Sequence, residues 1–146
     1  MITYYQGDIL QSGLPAIMHG CNMQGVMGAG LAKQIKQKYP TAYDDYLNEL
    51  PGKNLGDIIW TEVGENIIIH ALTQINYGRS RKRFVSYEAI GRAMNKTLDR
   101  MNTMFGQDFI LAMPKIGCGL GNGTWSAVLN VIEPMCTDYD VRVFSL

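Results

Sequence analysis

Short apolar runs alternate with amphipathic stretches along this chain, and the alternation predicts an α/β order. Ile2-Thr3-Tyr4-Tyr5-Gln6 is rich in β-branched and aromatic residues and reads as a first strand, ended by Gly7-Asp8. After a turn over residues 11–14, Pro15 opens a buried strand over residues 16–19. Helical spacing from residue 30 to about 39 predicts a first helix. Pro40, which lacks an N–H, breaks that helix and sits in the first turn of a second. Tyr43, Tyr46, Leu47 and Leu50 fall at helical spacing and are expected in the core, with a loop over residues 51–54.

Residues 58–63 read as a strand, and Gly64-Glu65-Asn66 as a tight turn. Residues 67–72 form a continuous apolar run, the mark of a strand buried on both faces. His70 inside it reads as a hydrogen-bonded core histidine ahead of a ligand. Ser86 caps a third helix whose stripe is Ala89, Ile90, Ala93, Met94, Thr97, Leu98 and Met101. Residues 108–113 are another buried strand. A fourth helix, capped near Thr124, turns Trp125, Val128, Leu129 and Ile132 inward, and residues 141–146 are a last strand. The order predicts a single α/β domain over residues 1–146, a central mixed β-sheet sandwiched between helices.

The length suits one domain with its own core. Formal net charge is zero, so no global field favours nucleic acid or an acidic membrane, and neither is expected as a partner. Cys21, Cys118 and Cys136 cannot all pair, form no CxxC and have no Cys/His metal spacing. A reducing, cytoplasmic setting is expected, with no metal and no cofactor. The first residues show neither a basic segment nor an apolar one, so no signal peptide is expected. No apolar run approaches the roughly 20 residues that span a bilayer. A monomer is expected.

Chemistry concentrates in two glycine-rich loops at strand ends. The first is His19-Gly20-Cys21-Asn22-Met23-Gln24-Gly25-Val26-Met27-Gly28-Ala29-Gly30-Leu31-Ala32, a strand, a loop and a helix start. Its glycines follow GxxGxG rather than GxGxxG, and no GK[ST] follows. Glycine lets the backbone take positive φ and approach a ligand, and a helix N-terminus attracts phosphate; a plain tight turn is the competing reading. His19 and Asn22 at the strand end favour a site. The second loop, Pro114-Lys115-Ile116-Gly117-Cys118-Gly119-Leu120-Gly121-Asn122-Gly123, also opens into a helix. Two such units in one small sheet can present N–H groups to one diphosphate. Asp8 is either a ligand-amine acceptor or an Asx cap. The basic run Arg79-Ser80-Arg81-Lys82-Arg83 reads as a solvated surface segment, with a phosphate clamp or nucleic-acid contact as the alternative.

The pieces Gly7-Asp8-Ile9, His19-Gly20-Cys21-Asn22, Gly28-Ala29-Gly30-Leu31-Ala32 and Pro114-Lys115-Ile116-Gly117-Cys118-Gly119-Leu120 resemble, in order, the macro domains, which bind ADP-ribose. The likeness is to the compact branch of ADP-ribose 1″-phosphate phosphatases and terminal ADP-ribose protein glycohydrolases, and more to the phosphatases. The resemblance implies that Asp8, followed by Ile9, accepts from the adenine amine. It implies that Gly28, Ala29, Gly30, Leu31 and Ala32 surround the diphosphate and distal ribose, with Asn22 facing that ribose. Gly117, Cys118, Gly119, Leu120 and Gly121 match the second diphosphate loop, and Phe144 and Leu146 the adenine's neighbours. The glycohydrolases carry a lysine after the fourth strand and an aspartate after GCGL. Here residues 72–76 read Leu-Thr-Gln-Ile-Asn and GCGL is followed by Gly121-Asn122, so that route lacks its nucleophile and acid.

The expected function is metal-independent hydrolysis of ADP-ribose 1″-phosphate, with His19 as general acid or base and Asn22 orienting ribose and water. Strand alternation puts His19 and Cys21 on one face and Gly20 and Asn22 on the other unless the chain bends at Cys21. The alternatives are a non-catalytic ADP-ribose reader and a hydrolase removing ADP-ribose or acyl groups from modified macromolecules.

Overall fold

The computed structural model describes residues 1–146. Its strands are β1 (Ile2–Gln6), β2 (Ala16–Asn22), β3 (Ile58–Val63), β4 (Asn66–Gln74), β5 (Ile110–Pro114) and β6 (Asp140–Ser145). Its helices are α1 (Gly30–Lys38), α2 (Pro40–Glu49), α3 (Tyr87–Phe105) and α4 (Trp125–Ile132). The strands form one sheet in the order β1-β6-β5-β2-β4-β3. Every neighbouring pair is parallel except β3 and β4, which are joined by the tight turn at Gly64 (φ 61°).

Period-2 alternation along the central strands fills a layer on each face. Met18, Ile69 and Leu111 pack with α3 and α4, and so do Ala16, Ile67 and Met113. Ile17, Ile68, Leu72 and Ala112 pack with Ile35 of α1 and with Ala42 and Tyr46 of α2. The sheet is therefore sandwiched between two helical layers, as the buried runs predict. The α3 stripe is buried throughout, and Ser86 Oγ accepts from Ala89 N at 3.1 Å as its cap. No helix is long and apolar enough to cross a membrane.

Several details depart from the pattern. Leu47 is 41% exposed, because α2 buries Ala42 and Tyr46 and leaves Leu47 at the stripe's edge, over Gly25. Residues 50–52 close a 3₁₀ turn rather than an open loop. The strand expected from residue 108 starts at Ile110. Thr124 occupies the α4 cap position without bonding through its hydroxyl; its N–H donates to Tyr87 Oη at 3.0 Å instead. β2 runs three residues past His19, and its register with β4 slips there. Cys21 faces Leu72 but Asn22 faces Gln74, so Thr73 is an extra residue in β4.

Candidate functional site

A cavity of about 450 Å³ opens at the carboxyl ends of β2, β4 and β5. Strand ends of this kind are where open α/β sheets bind ligands.

Asn22 builds the first wall. Its Oδ1 accepts from Gln24 N (2.9 Å), Val26 N (3.3 Å) and Tyr46 Oη (3.0 Å), and its Nδ2 donates to Val26 O (2.8 Å). Tyr46 Oη also reaches Asn22 O at 2.6 Å, and Tyr43 Oη donates to Gly25 O at 3.1 Å. The loop so held delivers Gly28 and Ala29 to the start of α1. Gly30 enters that helix at φ 57°, a left-handed geometry that suits glycine. Ala29 stands at the cap position with no side chain to cap. The N–H groups of Gly30, Leu31 and Ala32 find no partner in the protein, so the positive end of α1 opens on the cavity.

The second wall is the loop after β5. Gly117 turns at φ 79°, and its carbonyl accepts from Gly123 N at 2.7 Å. The N–H groups of Gly119, Leu120 and Gly121 have no protein partner. Arg79 and Lys115 line the cavity, and no Asp or Glu does. Unpaired N–H groups, a helix N-terminus and two cations suit an anion.

The structure thus brings together Gly28, Ala29, Gly30, Leu31 and Ala32 with Gly117, Gly119, Leu120 and Gly121, and sets His19 and Asn22 beside them. Five other predicted residues stand outside the lining. The Cys118 thiol turns back to Ile116 O at 3.6 Å. Asp8 is exposed and caps a 3₁₀ turn, its Oδ1 accepting from Leu10 N at 2.9 Å, which is the Asx-cap geometry. Ile9 is buried against the α1/α2 layer. Phe144 stacks on Tyr5 at 5.3 Å between ring centroids, and Leu146 is almost wholly exposed. Sequence reasoning missed Gln74, Tyr77 and Lys115 as cavity residues. The available signal was position, since Gln74 ends β4 and Lys115 directly follows β5. Gln74 and Gly121 enter the cavity from the ends of β4 and of the second glycine loop.

His19 requires the sharpest correction. Its ring is 1% exposed, and its Nε2 lies 2.8 Å from His70 Nδ1 across the β2–β4 register. Burial first, and then the neighbouring His70, hold His19 well below the ordinary imidazole range. Burial also lowers His70 from 6.5 to about 4 and pushes the Cys21 thiol up. Both imidazoles are neutral at pH 7 and bonded to each other, so His19 is not an acid or base for a bound substrate. The Asn22 amide is likewise committed to its own loop and keeps one unassigned N–H. The fold also gathers His19, Cys21 and His70 so that three metal-ligating atoms lie within 4.8 Å. Sequence spacing gave no sign of this cluster, because two of its members are 49 residues apart.

Residues 18–132 match the family model of the Macro domain. The chain is a macro domain. It is 28% identical to an ADP-ribose 1″-phosphate phosphatase of Saccharomyces cerevisiae, over 99% of this chain and 98% of that one. It is 27% identical to a human ADP-ribose glycohydrolase, over 99% of this chain and 91% of the relative. Its fold superposes on the macrodomain of Mycobacterium tuberculosis DarG with a TM-score of 0.82, at 22% identity, covering 100% of this chain and 98% of that one. The macro domain shares its overall fold with that solved macrodomain.

Proposed function

We propose that this macro domain binds ADP-ribose in the cavity and slowly hydrolyses ADP-ribose 1″-phosphate to ADP-ribose and phosphate. One observation carries the reading: the uncapped start of α1 and the free N–H groups of the second loop converge on one cavity without a carboxylate. Such a cradle suits a diphosphate. The volume of about 450 Å³ lies in the range of small-molecule sites. The two relatives, an ADP-ribose 1″-phosphate phosphatase and an ADP-ribose glycohydrolase, support the same substrate class.

In the hydrolysis, water oxygen bonds to phosphorus and the bond from phosphorus to the 1″ oxygen breaks. The water's proton passes through solvent to that leaving oxygen. Phosphoryl transfer asks the protein mainly for positioning and stabilisation of spreading negative charge, which Arg79, Lys115 and the backbone N–H groups supply. With His19 enclosed and neutral, the general acid–base contribution of roughly 10²–10⁴-fold is absent, so turnover is slow.

Absence of an accessible group titrating near neutrality favours a second reading, an ADP-ribose-binding module without turnover. Calorimetry with ADP-ribose, followed by phosphate release from ADP-ribose 1″-phosphate on the same sample with EDTA present, separates the two. Binding with phosphate release supports the hydrolase, and binding without release over hours leaves the module. Failure to bind ADP-ribose overturns both.

A further inference from the structure

On its β4 side the cavity ends in a strap, residues 75–83, that ties the two glycine loops to each other. At one end of the strap, Ile75 O accepts from Met23 N (3.2 Å) and Gln24 Nε2 (3.1 Å) of the first loop. At the other, Asn122 of the second loop donates through Nδ2 to Ser80 O at 2.7 Å and to Lys82 O at 2.6 Å. Just beyond, Phe84 N and Val85 N donate to Gly121 O at 2.9 and 3.2 Å. Asn122 is the chain's one non-glycine residue with a positive φ, 60°. Asparagine tolerates that conformation better than most side chains, and residues held in it gather at ligand clamps. Here the residue so held is the one that fastens the strap.

The latch sets where Arg79 stands, because Ser80, the next residue, is one of its two anchors. Arg79 lines the cavity, and no carboxylate lies within ion-pair distance of it. It is the only charged side chain that the strap gives to the lining. No residue of β1 or β6 lines the cavity, and β4 lies across β2 and β5 from them, so Arg79 stands at the end away from those strands. A diphosphate between the two glycine loops lies over the ends of β2 and β5. What reaches the strap is then one end of the ligand. Of the two ends of ADP-ribose 1″-phosphate only the ribose end bears a further anion, so charge complementarity turns that end to Arg79. A guanidinium fork can take two phosphate oxygens at once.

We propose that Arg79 selects a 1″-phosphate over a free 1″ hydroxyl, and that Asn122 is the positioning residue that holds Arg79 in place for it. The proposal rests on the ADP-ribose reading above. Asn122 itself stands outside the lining and acts through the strap. Removing its amide leaves Arg79 its charge and takes away its fixed place beside the two glycine loops.

The test is calorimetry in the cold, where slow turnover leaves the ligand intact, with ADP-ribose 1″-phosphate and ADP-ribose compared on the full chain. Wild type should bind the phosphorylated ligand about tenfold more tightly, the scale of one hydrogen bond to a charged group. Arg79→Gln should bring that ratio to about one. Arg79→Lys, which keeps the charge without the fork, should leave it at about three. Asn122→Gly, which suits the left-handed backbone and removes the amide, should bring it to about two. The double variant should match Arg79→Gln alone, because Asn122 works through Arg79. Equal wild-type affinities, an Arg79→Gln variant that keeps the preference, or a folded Asn122→Gly variant that keeps it or weakens both ligands in step overturns the proposal and leaves ADP-ribose binding standing. No heat from either ligand strikes the ADP-ribose reading and the proposal with it. Circular dichroism checks each fold, and the two Arg79 variants, at an exposed position, decide the matter if Asn122→Gly does not fold.

Discussion

The buried His19–His70 pair predicts a specific acid sensitivity of the fold. His70 sits between Cys21 and His19 of β2, Thr61 of β3, and Tyr46 of α2, whose ring is tilted over it at 5.7 Å. Burial lowers its pKa from 6.5 to about 4, against smaller raising effects of Asp45 and the Ala42 backbone. A group whose folded pKa lies below its unfolded one binds fewer protons in the folded state. Stability is therefore complete above about pH 6.5 and falls as pH drops from there towards 4. The gap is worth roughly 3 kcal/mol for His70, and His19, shifted in the same direction, steepens the loss. That is a large fraction of a typical domain stability of about 5–15 kcal/mol. Urea unfolding at intervals from pH 7 to 4.5 should show the midpoint falling steadily with little change in slope. His70→Gln should be less stable at pH 7 yet lose less between pH 7 and 4.5. The reasoning fails if wild-type stability is flat over that range, or if NMR shows either imidazole titrating near 6.5 in the folded protein.

Three further outcomes follow from single contacts. Gly30→Val should abolish ADP-ribose binding and leave a folded protein by circular dichroism. A Cβ at that site meets no protein atom within 4 Å, so the side chain enters the open space before α1, and its φ of 57° adds about 1–2 kcal/mol of strain; wild-type affinity would remove the loop from the site. Tyr46→Phe should cost about 1–3 kcal/mol of stability and weaken ADP-ribose binding, because it strips a donor from Asn22 O and Oδ1; intact affinity by calorimetry would show that the loop holds without it. Asp8→Asn keeps an oxygen for the Leu10 cap, and Asp8 stands outside the cavity lining, so unchanged stability and unchanged ADP-ribose affinity are expected; roughly tenfold weaker binding by calorimetry would bring Asp8 into the site.

The layers and the order of elements were legible in the sequence because burial follows periodicity. The run at residues 67–72 reads as a doubly buried strand and is one, and Ser86 with its stripe reads as a capped helix and is one. The two glycine loops were legible from composition and from their place at strand ends. What was not legible is which polar side chains the fold encloses. His19 at a strand end looks available from its neighbours in sequence, and only the pairing with His70 in β4 encloses it. Net charge hides position for a related reason, since a sum over the chain does not show that Arg79 and Lys115 line the cavity while no Asp or Glu does.

The slip between Cys21 and Asn22 marks the point where β2 passes from a core histidine to a site asparagine three residues on. Strict alternation would turn Asn22 to the α3/α4 face with Met18 and Gly20. β2 itself leaves the alternation at Asn22, at the point where its pairing with β4 is offset by Thr73: the Asn22 amide meets Tyr46 on the α1/α2 face, where it ties down the loop that ends at Gly30. The offset has a cost. Thr73 is 1% exposed and its hydroxyl has no hydrogen-bond partner, a loss of about 1–3 kcal/mol. Gly20 lies beside it because a Cβ there would come 3.0 Å from that hydroxyl and 3.0 Å from Ile116. A bulge, an orphaned hydroxyl and an uncapped helix thus occur within a few residues of one another, while the rest of the sheet keeps its register. Local rules are broken at the cavity and kept elsewhere, as expected where a backbone is shaped for a ligand rather than for stability.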